Sequence, residues 1–158
     1  MIELTFLDFH EQQYHEQQFC LYVLKNGNED VLYVGISTND IWERWFGWGG
    51  HITWDGKVIY GESPVGAKIE NHLPDSLKWK IQLWSLKDCL EFCSGVLSGD
   101  ISEITIHEIE PIMIRKLSPT LNGTFNSNPG KDITQKSKKE IENEKLLDRF
   151  YKGIFDRE

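Results

Sequence analysis

Two short apolar runs joined by a turn-forming stretch constrain this chain more than any other feature. From Phe19 to Leu24 every residue is apolar or aromatic, and Lys25 ends the run. Val31-Leu32-Tyr33-Val34-Gly35 follows, and the link between them, Asn26-Gly27-Asn28-Glu29-Asp30, is built from turn-tolerant residues. Two β-prone runs separated by about five such residues predict a β-hairpin. Successive strand side chains point to opposite faces, so runs that are apolar at every position predict a sheet covered on both sides. The expectation is a mixed α/β (α+β) chain with a small sheet sandwiched between helices.

Further elements follow from local signals. Asp40, with Glu43 three residues on, resembles a capping box that starts a short helix over residues 41–46, ended by Gly47, Gly49 and Gly50. Residues 51–75 read as loop-rich, with a short helix over 65–72. Leu77, Trp79, Ile81 and Leu83 alternate along one face of a third strand over 77–84. A helix is expected over 89–97 and a longer one over 102–117. Pro111 lies inside the second, where it removes a hydrogen bond or introduces a kink. Ile141, Leu147, Phe150, Tyr151 and Ile154 recur at helical spacing and predict a C-terminal amphipathic helix. That stripe packs on its own domain or serves as a homodimer or partner surface. The tandem echo at 10–19, HEQQY then HEQQF, matches neither helix nor strand period and reads as a surface segment with exposed His10 and His15.

At 158 residues, 39% hydrophobic and 12% aromatic, the chain has apolar material for one real core. It has no apolar run long enough to span a membrane and no secretion signal at its start, so no membrane partner is expected. Cys20, Cys89 and Cys93 are too few for a disulfide framework and lack the spacing of a zinc site, which suits a reducing cytoplasm. The net charge of −8 argues against a polyanionic partner. The average conceals one basic segment, 113–139, with Arg115, Lys116, Lys131, Lys136, Lys138 and Lys139 against the single acid Asp132. It reads either as a nucleic-acid contact or as a solvated, lysine-rich linker.

Four separated pieces then fall into one order. Leu21-Tyr22-Val23 is followed, eleven residues on from Tyr22, by Tyr33-Val34-Gly35. Arg44 comes nine residues after Gly35, on the capped helix, and Glu110 stands nine residues before Pro119 and twelve before Asn122. In this order and spacing the chain resembles the GIY-YIG nuclease superfamily over residues 19–123. The resemblance implies a central three-stranded antiparallel sheet flanked by helices, hydrolysing DNA phosphodiesters with one divalent metal, Mg²⁺ or Mn²⁺; RNA is not set aside as a substrate. It implies an N-terminal extension over 1–18, the nuclease domain over 19–123, and a basic linker with the C-terminal helix over 124–158.

The implied roles suit the residue types. A hard cation prefers carboxylate oxygen and keeps several waters, so Glu110 can be its sole protein ligand. Arg44 can grip phosphate oxygens bidentately. By the resemblance, Tyr22 and Tyr33 sit at the metal-bound phosphate, one of them assisting deprotonation of the attacking water. Asn122 orients the site loop or contacts a phosphate. The family's histidine or tyrosine after the arginine is replaced by Trp48; His51 or His72 serves instead, with His51 favoured because it follows the glycine turn. Leu21 and Val23 also depart from the motif, Ile36 stands where relatives often carry lysine, and Pro111 beside Glu110 is unusual. Glu103 and Glu108 are rivals to Glu110, selected against only by the register to Pro119 and Asn122. Trp42, Trp45 and Trp48, spaced by three, form either core or a base-stacking surface. A catalytically silent scaffold that binds nucleic acid or protein is the alternative function.

Overall fold

The computed structural model describes residues 1–122, apart from 17, 56, 57 and 98, together with residue 146. The chain begins with strand β1 (Ile2–Thr5) and helix α1 (Phe6–Gln12), and continues into the expected hairpin, β2 (Phe19–Lys25) and β3 (Val31–Ile36). Helix α2 (Ile41–Phe46) follows, with Asp40 accepting the Glu43 N–H as its N-cap. A small second hairpin, β4 (Ile52–Trp54) and β5 (Ile59–Gly61), leads into α3 (Pro64–Asn71). A 3-10 turn over Asp75–Lys78 precedes β6 (Lys80–Ser85), α4 (Leu86–Phe92) and α5 (Ile106–Leu117).

The main sheet is antiparallel and has four strands, in the order β1-β6-β2-β3. The expected three-stranded sheet is therefore corrected by one strand, β1, which residues 2–5 contribute before α1. Ile2 and Leu4 alternate with more exposed neighbours, as a one-sided edge strand requires, and Phe6 and Phe9 lie three apart on one helical face and are fully buried. The third expected strand starts later than its alternation suggested. Ile81 and Leu83 do share one buried face with Trp79, but Leu77 is exposed in the 3-10 turn.

Both sheet faces are covered, as the hairpin predicted. Tyr22, Leu24, Ile81 and Leu83 face a core closed by α1, α2, α3 and the β4–β5 hairpin. Leu21, Val23, Val34 and Trp84 face a second core, closed by α4 and α5. Burial of either face stabilises by roughly 25 cal/mol per Å² of apolar surface, so neither helix layer is dispensable. Helix α5 starts four residues later than expected. Its Thr105 N-cap donates its backbone N–H to Glu108 Oε2 at 3.2 Å, and the helix runs through Pro111 to Leu117.

The tryptophan series splits. Trp45 is fully buried, Trp42 is half-buried with its indole N–H donating to His10 O at 3.2 Å, and Trp48, beyond the helix, is fully exposed. His10, expected to be exposed, is half-buried between the rings of Trp42 and Trp54. His15 is exposed and pairs with Asp40 at 3.2 Å. All three cysteines are free, and burial pushes the Cys89 thiol up to about 12. Among the described residues no helix is long and apolar enough to cross a membrane. The expected C-terminal helix and the basic segment beyond residue 122 lie outside the described residues.

Candidate active site

The register of the β2–β3 hairpin determines how the two tyrosines meet. Tyr22 stands opposite Gly35 and Leu24 opposite Tyr33, so Tyr22 and Tyr33 are diagonal neighbours on one face. Their rings stack with centroids 6.1 Å apart and planes at 22°. The ring of Tyr22 lies over Gly35, where any Cβ would overlap the phenol. The glycine of the second motif is thus the space into which the tyrosine of the first one folds.

The buried hydroxyl of Tyr22 hydrogen-bonds His51 Nε2 at 3.1 Å. His51, in turn, is held at every polar atom. Its N–H donates to Arg44 O and its carbonyl accepts from Glu62 N–H, each at 2.9 Å. Its Nδ1 contacts Ser63 Oγ at 2.7 Å, and that hydroxyl also caps α3 by accepting the Gly66 N–H. The main chain of α3 approaches so closely that a Cβ at Gly66 would collide with the His51 carbonyl. Trp45 closes the back of the site, packing edge-on against both Tyr22 and His51 at 4.9 and 4.8 Å.

Arg44 is exposed on α2, and its positive charge reaches Tyr22, Tyr33 and His51. Glu110 reaches the same tyrosines from α5, which packs mainly on β3, the edge strand. The two layers of the fold thus meet at the β3 edge. Burial, with smaller contributions from Tyr33 and Glu110, holds the Tyr22 phenol well above its ordinary range, and Arg44 only partly offsets this. Burial and then Glu110 raise Tyr33 as well. Burial followed by the Arg44 charge lowers His51 to about 4, so its imidazole is neutral near pH 7. Burial raises the Glu110 carboxyl, with His107 opposing it.

Of the six expected site residues, Tyr22 touches both Tyr33 and His51, and the charges of Arg44 and Glu110 reach the two tyrosines. Asn122 is placed differently. Its amide accepts from Val34 N–H at 2.8 Å and donates to Val34 O at 2.9 Å, clamping the outer edge of β3. It acts on the strand backbone between Tyr33 and Gly35. His72 donates from Nδ1 to Lys68 O at 2.7 Å and rests on Trp79. Of the rival carboxylates, Glu108 is engaged in capping α5 and Glu103 is exposed in the preceding loop.

Among the described residues no cluster of three or more His, Cys, Asp or Glu side chains could enclose a metal. A single half-buried carboxylate fits a hard cation that keeps most of its water, and does not fit a caged structural ion.

Three neighbours of the site were not anticipated. Ser63 announces itself only as a helix cap before Pro64, with no sign that it also holds His51 twelve residues away. Lys68 lies 5.6 Å from the Tyr33 ring centroid and donates to Leu121 O at 3.3 Å. Trp45 carries no signal separating it from Trp42 or Trp48. No family model, curated protein or solved structure matches the chain at a significant level.

Proposed function

We propose that the chain is a metal-dependent endonuclease of the GIY-YIG type, hydrolysing phosphodiester bonds in nucleic acid, with DNA as the first polymer to test. The observation that carries this reading is the contact of Tyr22 with both Tyr33 and His51, within reach of the charges of Arg44 and Glu110. These residues are far apart in sequence, and the Tyr22–His51 hydrogen bond at 3.1 Å ties the first motif to the residue after the glycine turn.

A phosphodiester needs a water stripped of a proton, charge stabilisation at phosphorus and a stabilised leaving oxygen. The divalent cation, when bound, supplies Lewis acidity and orientation, and Glu110 is the residue that would hold it. Arg44, exposed at the rim, binds phosphate oxygens and offsets the charge that develops on them. Tyr22 does not act as a standing phenolate, because its pKa is held well above 10. Instead it relays. Its oxygen takes a proton from the attacking water while its own proton passes to Nε2 of His51, which with a pKa of about 4 is a transient acceptor only. The O–H bond of water breaks, its oxygen forms the new bond to phosphorus, and the bond to the leaving oxygen breaks, that oxygen taking up the proton that His51 gives back through Tyr22. The relay uses the tautomer in which Nδ1–H donates to Ser63 Oγ and Nε2 accepts from the Tyr22 hydroxyl. Tyr33, stacked on Tyr22 and less buried, is left to orient the phosphate.

The test is cleavage of plasmid and oligonucleotide substrates with Mg²⁺ or Mn²⁺, wild type beside Glu110→Ala and Tyr22→Phe. Tyr22→Phe removes the proton relay and is expected to slow cleavage by about 10²–10⁴-fold, with Glu110→Ala at least as impaired. Equal residual cleavage in all three proteins removes the catalytic reading and leaves a binding module on the same scaffold.

A further inference from the structure

We propose that Trp48 stacks on an unpaired nucleobase beside the scissile phosphate, so that the substrate is single-stranded or locally opened nucleic acid. The inference rests on the nuclease reading above and names the substrate class of that same site. Trp48 is 105% exposed, whereas Trp45, three residues earlier, is fully buried. Its position is nevertheless well defined. Gly47 N–H donates to Glu43 O, Gly50 N–H to Gly47 O and His51 N–H to Arg44 O, each at 2.9 Å. Trp48 therefore rides on a hydrogen-bonded turn whose two ends are Arg44 and His51. One end contributes the phosphate-binding charge and the other the proton acceptor for Tyr22, so an indole projecting from between them stands where the bases flanking a bound phosphate would lie.

Duplex binders rely on many Lys and Arg contacts to phosphate, and outside the basic segment 113–139 this chain is acidic. Among the described residues, the cations tied to the site are Arg44 and Lys68. Stacking on an aromatic ring needs no net charge and tolerates any base, but the base must be unpaired or unstacked to offer its face. A solvent-facing indole beside a single phosphate-binding arginine suits a strand whose bases are open.

The test uses the full chain carrying Glu110→Gln, so that binding is read without cleavage, with Mg²⁺ present. Three fluorescein-labelled probes of equal length are titrated: oligothymidine, a duplex and a strand of abasic residues. Trp48→Ala is expected to weaken oligothymidine binding by between about fivefold and a hundredfold, and Trp48→Phe by less. Duplex and abasic-strand binding should be the same with and without the indole. Because Trp48 is fully exposed and joins neither core among the described residues, circular dichroism and melting temperature should be unchanged by either substitution. Three results overturn the proposal: no oligothymidine binding by the parent, equal oligothymidine binding by Trp48→Ala, or equal losses on all three probes. A Trp48-dependent dimer in analytical ultracentrifugation, with unaltered strand binding, would instead make the indole a self-association contact. The two readings fail separately. Trp48-dependent binding by a chain that never cleaves removes catalysis and keeps stacking, while cleavage with Trp48-independent binding does the reverse.

Discussion

All four polar atoms of His51 are hydrogen-bonded, yet none of its partners is an anion: they are Arg44 O, Glu62 N, Ser63 Oγ and Tyr22 Oη. Protonation would bury a cation with the Arg44 charge nearby, which is why its pKa falls from 6.5 to about 4. The sign for stability follows. Above pH 6.5 the imidazole is neutral in folded and unfolded chains alike and contributes no slope. Between that value and about 4 the unfolded chain takes a proton that the fold refuses, so stability falls as pH drops. At 1.36 kcal/mol per unit the full loss is roughly 3 kcal/mol. Glu110, whose pKa is raised, acts with the opposite sign in the same acidic range. The informative quantity is therefore the difference between wild type and His51→Gln, measured by urea unfolding from pH 7.5 to pH 4. The variant should lose the His51 slope, and parallel curves for the two proteins would show that His51 is not held neutral.

At the scale of elements, β3 is an edge strand, and its outer side is paired by residues that follow α5. Leu121 N–H donates to Leu32 O at 2.7 Å, and the Asn122 amide closes on both polar groups of Val34. Asn122→Ala leaves a buried N–H and a buried carbonyl without that partner, at about 1–3 kcal/mol each before relaxation. A loss of about 2–4 kcal/mol in unfolding free energy, with faster amide exchange at Val34, is the expected result. Unchanged exchange at Val34 would show that the clamp does not hold the strand. The same element explains what could be read from the chain. The hairpin and α2 were legible because their signals are local: two apolar runs, a turn-rich link and an Asp40 cap. The β4–β5 hairpin was not, since a strand of three residues offers too few positions for alternation to register. Tyr22, Tyr33, Arg44 and Glu110 were legible as an ordered motif. Ser63 and Lys68 were not, because a contact made across a folded chain leaves no pattern at either end, and the role of Asn122 became specific only once its Val34 partner was known.

Across the whole molecule, the first twelve residues connect the sheet to the site. Strand β1 pairs with β6 from Ile2↔Leu83 to Thr5↔Lys80, and Glu3 accepts from Gln82 Nε2 at 3.1 Å. Helix α1 then places Phe6 against Trp45, with centroids 5.7 Å apart, and Phe9 edge-on to Phe46 at 5.1 Å. Trp45 is the ring that backs Tyr22 and His51, so the chain of packing runs from the N-terminal segment to the candidate relay. Burying two phenylalanines contributes about 3–6 kcal/mol before Ile2, Leu4 and the lost ladder are counted. A domain of this size has a net stability of about 5–15 kcal/mol. Deleting residues 1–12 is therefore expected to abolish the cooperative melt, not merely shift it, and to abolish any cleavage with it. The sharper comparison is Phe6→Ala in the intact chain, which should cost about 3–5 kcal/mol while leaving β1 paired. A truncated protein that melts cooperatively at the temperature of the full chain would return these residues to the status of an appended extension.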